Sequence, residues 1–339
     1  MALEVEWYDF VCFGIVGVSL IGALWVLWMK EAVSRTQYDT RYESLLVARP
    51  DNEVDATSSL PKAHVNASQL WTSCWPGLNP LWLLASRFTS FLVMAILLIC
   101  DALKYGATIF YYYTEWTFTL IMIYFALASV VSAYGCWHSL KPSKQGAEAD
   151  YLRRDLEERV STNTETYKEK ETRGSIKLQG LYAEEGFQQR AGFWGYLMQI
   201  IYQICGGAVI ITDIVFWCVI VPFLKIAHFD LNLLMGCMHT FNIALLLVDT
   251  ALNNLPFPWF RMAYFVLWSC AYIIFLWIAH ACGLSWWPYP FLQLDIPWAP
   301  LWYFLLAVFH IPCYWLYVLI VKAKDKILAK LFIDALKSP

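Results

Sequence analysis

Seven stretches of the chain are apolar for roughly the length a helix needs to cross a bilayer, about 20 residues, with polar or charged segments between them. Val11 to Met29 carries no charge. Phe88 to Tyr105 is apolar until Asp101 and Lys104, and Trp116 to His138 forms the third run. Ala191 to Leu224 is broken only by Asp213. It exceeds one bilayer thickness, so Phe193, Trp194 and Tyr196 are expected in the interface. Leu231 to Asn253, Met262 to Gly283 and Leu301 to Val321 complete the set. The pattern predicts an all-α, polytopic transmembrane helix bundle of about seven spans.

The polar segments differ from one another. Residues 30–80 contain Pro50 and Pro61 and read as a cytoplasmic linker. Residues 139–190 mix charges of both signs, with Tyr151 to Val160 predicted as a short surface helix, and residues 323–339 read as a basic tail. The bundle itself is then expected in residues 1–29, 81–138 and 191–322. Met1 to Phe10 holds Glu4, Glu6 and Asp9 and no Lys or Arg, so the first apolar run reads as a retained span and not a cleaved signal peptide.

Charge gives the bundle a direction. With the N-terminus outside and the C-terminus cytoplasmic, 22 of the 24 Lys and Arg residues fall on the inner side, leaving only Lys104 and Lys225 outside. Basic residues favour cytoplasmic loops, and an even number of spans would scramble this separation. The sequon Asn66-Ala67-Ser68 is then cytoplasmic and expected to be unmodified. Either the endoplasmic reticulum or the plasma membrane fits this orientation.

Composition agrees with a membrane setting and removes several function classes. Hydrophobic residues are 59% of the chain and charged residues 15%, against about half and a quarter in soluble domains. A net charge of −3 without a basic patch gives no nucleic-acid partner. The ten cysteines show no C-x-x-C pairing and no zinc-finger spacing, and most lie inside apolar runs as buried thiols. No P-loop, G-x-S-x-G, H-E-x-x-H or dinucleotide fingerprint is present, and Gly206-Gly207 reads as a close-packing point. No cofactor is expected.

An ionisable side chain in hydrocarbon costs about 2.5–3.5 kcal/mol on insertion scales and so tends to face the bundle interior. Asp213, His239 and His310 each fall about 12–14 Å below the outer boundary, counting about 1.5 Å per residue along each helix. His280 lies nearer that surface, and Asp249 lies close to the cytoplasmic end. The layer is either a set of interhelical hydrogen bonds, worth about 0.6 kcal/mol each in a membrane, or part of a site. Its ligands are scattered singly over helices, which gives no metal centre. The loop from Ser285 to Pro300, with Trp286, Trp287, Tyr289 and Trp298, reads either as interface anchors or as a lid over a cavity.

Met238-His239-Thr240 is followed by Asp249 ten residues after the histidine, then by Tyr272, His280 and the run Trp286 to Phe291. Trp116-Thr117-Phe118 opens the third run, and Leu81-Trp82-Leu83-Leu84 leads to Arg87. These stretches, over roughly residues 80–135 and 193–322, resemble the androgen-induced-gene family of multi-pass membrane hydrolases and the related rolling-stone-like membrane proteins. The resemblance implies an intramembrane threonine hydrolase of fatty-acid esters. Thr117 would be the nucleophile and His239 its general base, with Asp213 placed to orient the histidine by our own inference. For Thr117 to reach the depth of His239, the third span must begin before Trp116. A non-enzymatic interaction or fusion protein of rolling-stone type is the alternative, and a transporter using the Asp213, His239 and His310 layer is a third. Membrane lipid is the expected partner in each.

Overall fold

The computed structural model describes residues 6–47, 66–139, 191–223 and 233–337. Its seven long helices are α1 (Trp7–Val47), α2 (Pro80–Tyr105), α3 (Tyr113–Ser139), α4 (Phe193–Ile214), α5 (Leu233–Leu252), α6 (Met262–Ala281) and α7 (Ala299–Lys337). Each contains a segment long and apolar enough to cross a membrane. Among the described residues there is no strand. The protein is a multi-pass, all-helical integral membrane protein. The helix expected at Tyr151 to Val160 and almost all of the 139–190 loop lie outside the described residues.

Helix ends follow local chemistry. α1 runs on to Val47, well into the expected linker, because Lys30 to Val47 contains neither proline nor glycine. α7 likewise continues through the expected tail to Lys337. α2 starts earlier than its apolar run: Asn79 caps it by accepting a hydrogen bond from the Leu81 amide at 3.0 Å, with Pro80 in the first turn. It ends at Gly106, whose φ of +73° is a conformation that glycine adopts without a side-chain clash. The short turn Gly106–Tyr111 follows, so α3 begins at Tyr113 and sets Thr117 one turn inside the span.

α4 is the centre of the bundle, with 67% of its span buried against 17% for α1. A side chain at Gly206 would run into Phe257 and Tyr317, and one at Gly207 into Phe265. The paired glycines therefore let α6, α7 and the α5–α6 turn approach α4 closely. α1 packs from outside on α6 and α7 and turns Val18, Ile21 and Trp25 outward.

Two charged pairs lie at one end of the bundle. Arg87 donates to Asp249 at 2.8 Å, to the Leu70 carbonyl at 2.7 Å and to Ser132 at 2.6 Å, joining α2, α3 and α5. Arg261 donates to Glu31 at 2.9 Å and lies over the Tyr196 ring, joining α6 to α1 and α4. At the same end Lys324 donates to the Asn253 carbonyl at 2.9 Å. The Tyr289 loop closes the opposite end.

Candidate functional site

The ionisable residues of the spans separate into distinct places. His239 meets Asp213 at 3.4 Å and stacks on Phe216, with ring centroids 3.5 Å apart. Asn242 donates to the same Asp213 oxygen at 3.3 Å. Phe216 sits in the π-helical turn Val215–Ile220, which continues α4 and rotates its side chains out of the α-helical register. Asp249 belongs to the Arg87 pair, where it also accepts from Tyr124 at 2.5 Å and Asn253 at 2.8 Å. His280 packs against Trp287 near the loop end, at 4.4 Å between centroids and with the rings tilted by 30°. Thr117 is fully buried, and its hydroxyl has no hydrogen-bond partner. The structure thus joins Asp213 to His239, but Thr117 makes no hydrogen bond to His239.

His310 has a different neighbour. Its Nε2 lies 2.8 Å from Ser269 Oγ, and its Nδ1 lies 2.7 Å from the Leu306 carbonyl. A carbonyl only accepts, so Nδ1 carries the proton and Nε2 presents a lone pair. Ser269 Oγ–H then donates to Nε2. Its single proton is used there, so the Tyr113 hydroxyl, 2.8 Å away, donates to Ser269. The chain Tyr113 to Ser269 to His310 crosses from α3 through α6 to α7.

Ser19, Ser129 and Thr212 each donate to a carbonyl one turn back in their own helix, the usual way such groups are satisfied. Thr250 does the same while also meeting Tyr202 and Tyr317. Ser269 bonds instead to Tyr113 and His310 on other helices. Phe265, one turn before it, packs its ring against His310 at 4.6 Å. Histidine and serine are held in one orientation from both sides.

Compared with known proteins, the chain matches no family model, no curated protein and no solved structure. The site is therefore read from its own geometry.

Two cavities meet at Ser269 and His310. The larger, about 290 Å³, lies between α1, α6 and α7 and is lined almost wholly by apolar side chains. The smaller, about 70 Å³, reaches toward the loop end and is roofed by Tyr289, Phe291 and Leu292. Burial pushes the Tyr289 phenol up to about 12, so it is a neutral donor at physiological pH. The loop thus covers a cavity, while Trp298 stays exposed. Among the described residues, no group of three or more metal-ligating side chains comes together.

Sequence reasoning selected His310 and grouped it with Asp213 and His239, with which it shares no hydrogen bond. It did not select Ser269 or Tyr113. The available signal was weak: Ser269 lies in a strongly apolar run on the span next to His310, and Tyr113 lies one turn before Thr117.

Proposed function

We propose that the protein is an intramembrane hydrolase of lipid esters, with Ser269 as nucleophile and His310 as general base. The observation that carries this reading is the 2.8 Å contact between Ser269 Oγ and a lone-pair-bearing His310 Nε2, opening on an apolar cavity. A serine hydroxyl is a weak nucleophile until an adjacent base takes its proton, and the base must be oriented by a third group. Here the Leu306 carbonyl takes that third position.

The steps balance with water as the only co-reactant. Ser269 Oγ adds to the ester carbonyl carbon as its proton passes to His310. The ester C–O bond breaks, and the departing alcohol oxygen takes that proton. Water then attacks the acyl-serine by the same relay, releasing a fatty acid and restoring Ser269. The Tyr113 hydroxyl, already directed at Ser269, is the nearest donor to the oxyanion that forms.

The resemblance to the androgen-induced-gene hydrolases supports the same reaction class but implies Thr117 and His239. A fluorophosphonate probe separates the two assignments. Wild type and Thr117→Ala should label; Ser269→Ala should not. Ester hydrolysis should fall about a thousandfold or more in Ser269→Ala and His310→Ala. Labelling that survives Ser269→Ala and disappears in Thr117→Ala would return the nucleophile to Thr117. No labelling of the wild type, with no ester cleavage, would remove the hydrolase reading and favour the interaction protein.

A further inference from the structure

The larger cavity has a shape that says more about its occupant than the hydrolase reading does. It begins at Ser269 and His310 and follows α6 back to Trp259 and Phe260. Along α1 it is lined from Ile15 to Val26. The two helices run past each other here: the Cys270 thiol faces the Val16 carbonyl at 3.9 Å, and Glu31 reaches Arg261 at the far end. At about 1.5 Å per residue, the run from Ser269 to Trp259 is about 15 Å, which is half the hydrocarbon core of a bilayer. That is the length of one lipid tail.

Trp259 and Phe260 line its far end, where Lys30 lies over the Trp259 ring at 5.9 Å and Arg261 over that of Phe260 at the same distance. Small residues, Gly22, Ala23, Ala263 and Ala307, leave the room between the three helices. Its few polar groups include Ser19, satisfied within α1, and Ser269 and His310 at its head.

We infer that the slot between α1, α6 and α7 holds one unbranched acyl chain with its carboxyl end at Ser269, and that Gly22 sets the chain length accepted. This rests on the hydrolase reading for the identity of the head group, but the slot itself is tested separately. The occupant follows from three features: an almost wholly apolar wall inside the membrane, a length of about one lipid tail, and the Ser269–His310 pair at its head.

Gly22 is suited to a plug experiment, since a Cβ built there meets nothing within 4 Å. The Cβ of Gly22→Phe therefore meets open space, and its ring would occupy the slot that Gly22 lines. Gly14, on the same helix but not lining the cavity, is equally open and supplies Gly14→Phe as the control. With purified full-length protein, Gly22→Phe should lower cleavage of a palmitoyl ester by about tenfold or more while an octanoyl ester stays within about twofold of wild type. Gly14→Phe should change neither. Loss of both esters together in Gly22→Phe, or of neither, overturns the slot.

If the wild type cleaves neither ester, the hydrolase reading has failed and photolabelling decides the slot alone. A diazirine-bearing palmitate, crosslinked in the Ser269→Ala background, should mark the α1 segment from Ile15 to Val26. That mark should vanish when Gly22→Phe is added. Unchanged crosslinking in the double variant, or none in the single one, overturns the inference.

Discussion

Arg87 is wholly buried among apolar helices, and Asp249 is nearly so. Neither charge is tolerable there alone; they pair with each other, with Ser132 accepting from Arg87 and Tyr124 donating to Asp249 from α3, while Arg87 Nη2 finds no partner among the described residues. Removing one partner of a buried pair leaves an uncompensated charge and costs about 3–5 kcal/mol. Arg87→Met should therefore lower the melting temperature in detergent sharply, and adding Asp249→Leu should recover part of the loss. An unchanged melting temperature in Arg87→Met would show that the pair does not hold α2 to α5. The same comparison explains what was legible at this scale. Asp249 and His239 stand out in sequence because charge or imidazole in an apolar run is rare and needs a partner. The identity of that partner is set by how two helices are rotated, which no single run records: Asp249 pairs with an arginine 162 residues away. Ser269 carries even less signal, because a neutral hydroxyl in a span usually satisfies itself on its own helix. Only the facing of α6 toward Tyr113 and His310 makes it different.

Elements were the most legible level, because a span is written in a continuous apolar run of fixed length. Each of the seven predicted runs holds a long helix, and α2 takes its start from the Asn79 cap and its end from Gly106. What the runs do not encode is which faces touch. Gly207 illustrates the difference: its lack of a side chain admits Phe265 from α6, and Phe265 in turn packs on His310. Gly207→Ala should thus push Phe265 and loosen the Ser269–His310 contact as well as the bundle. Overpacking of this kind costs about 1–3 kcal/mol. A lower melting temperature together with slower fluorophosphonate labelling is expected, and Gly17→Ala, where a Cβ meets open space, should do neither. Slower labelling without any loss of stability would separate the site from the α4–α6 packing and refute the coupling.

At the scale of the whole molecule, seven crossings would put the termini on opposite sides, and contacts gather basic residues at one end. Lys30 lies over Trp259, Lys324 reaches the end of α5, and Arg87 and Arg261 close their pairs there, while Lys104 sits beside Tyr105 at the far end of α2. We predict from this distribution that this end is cytoplasmic. In sealed vesicles with the cytoplasmic face outward, a tag fused after Pro339 should be digested by added protease. In a background with the other nine cysteines replaced by serine, Cys282, exposed at the loop end of α6, should resist a membrane-impermeant maleimide until detergent is added, and Cys282→Ser should abolish that late labelling. Immediate maleimide labelling with a protected tag would reverse the orientation and place Asn66 where glycosylation occurs.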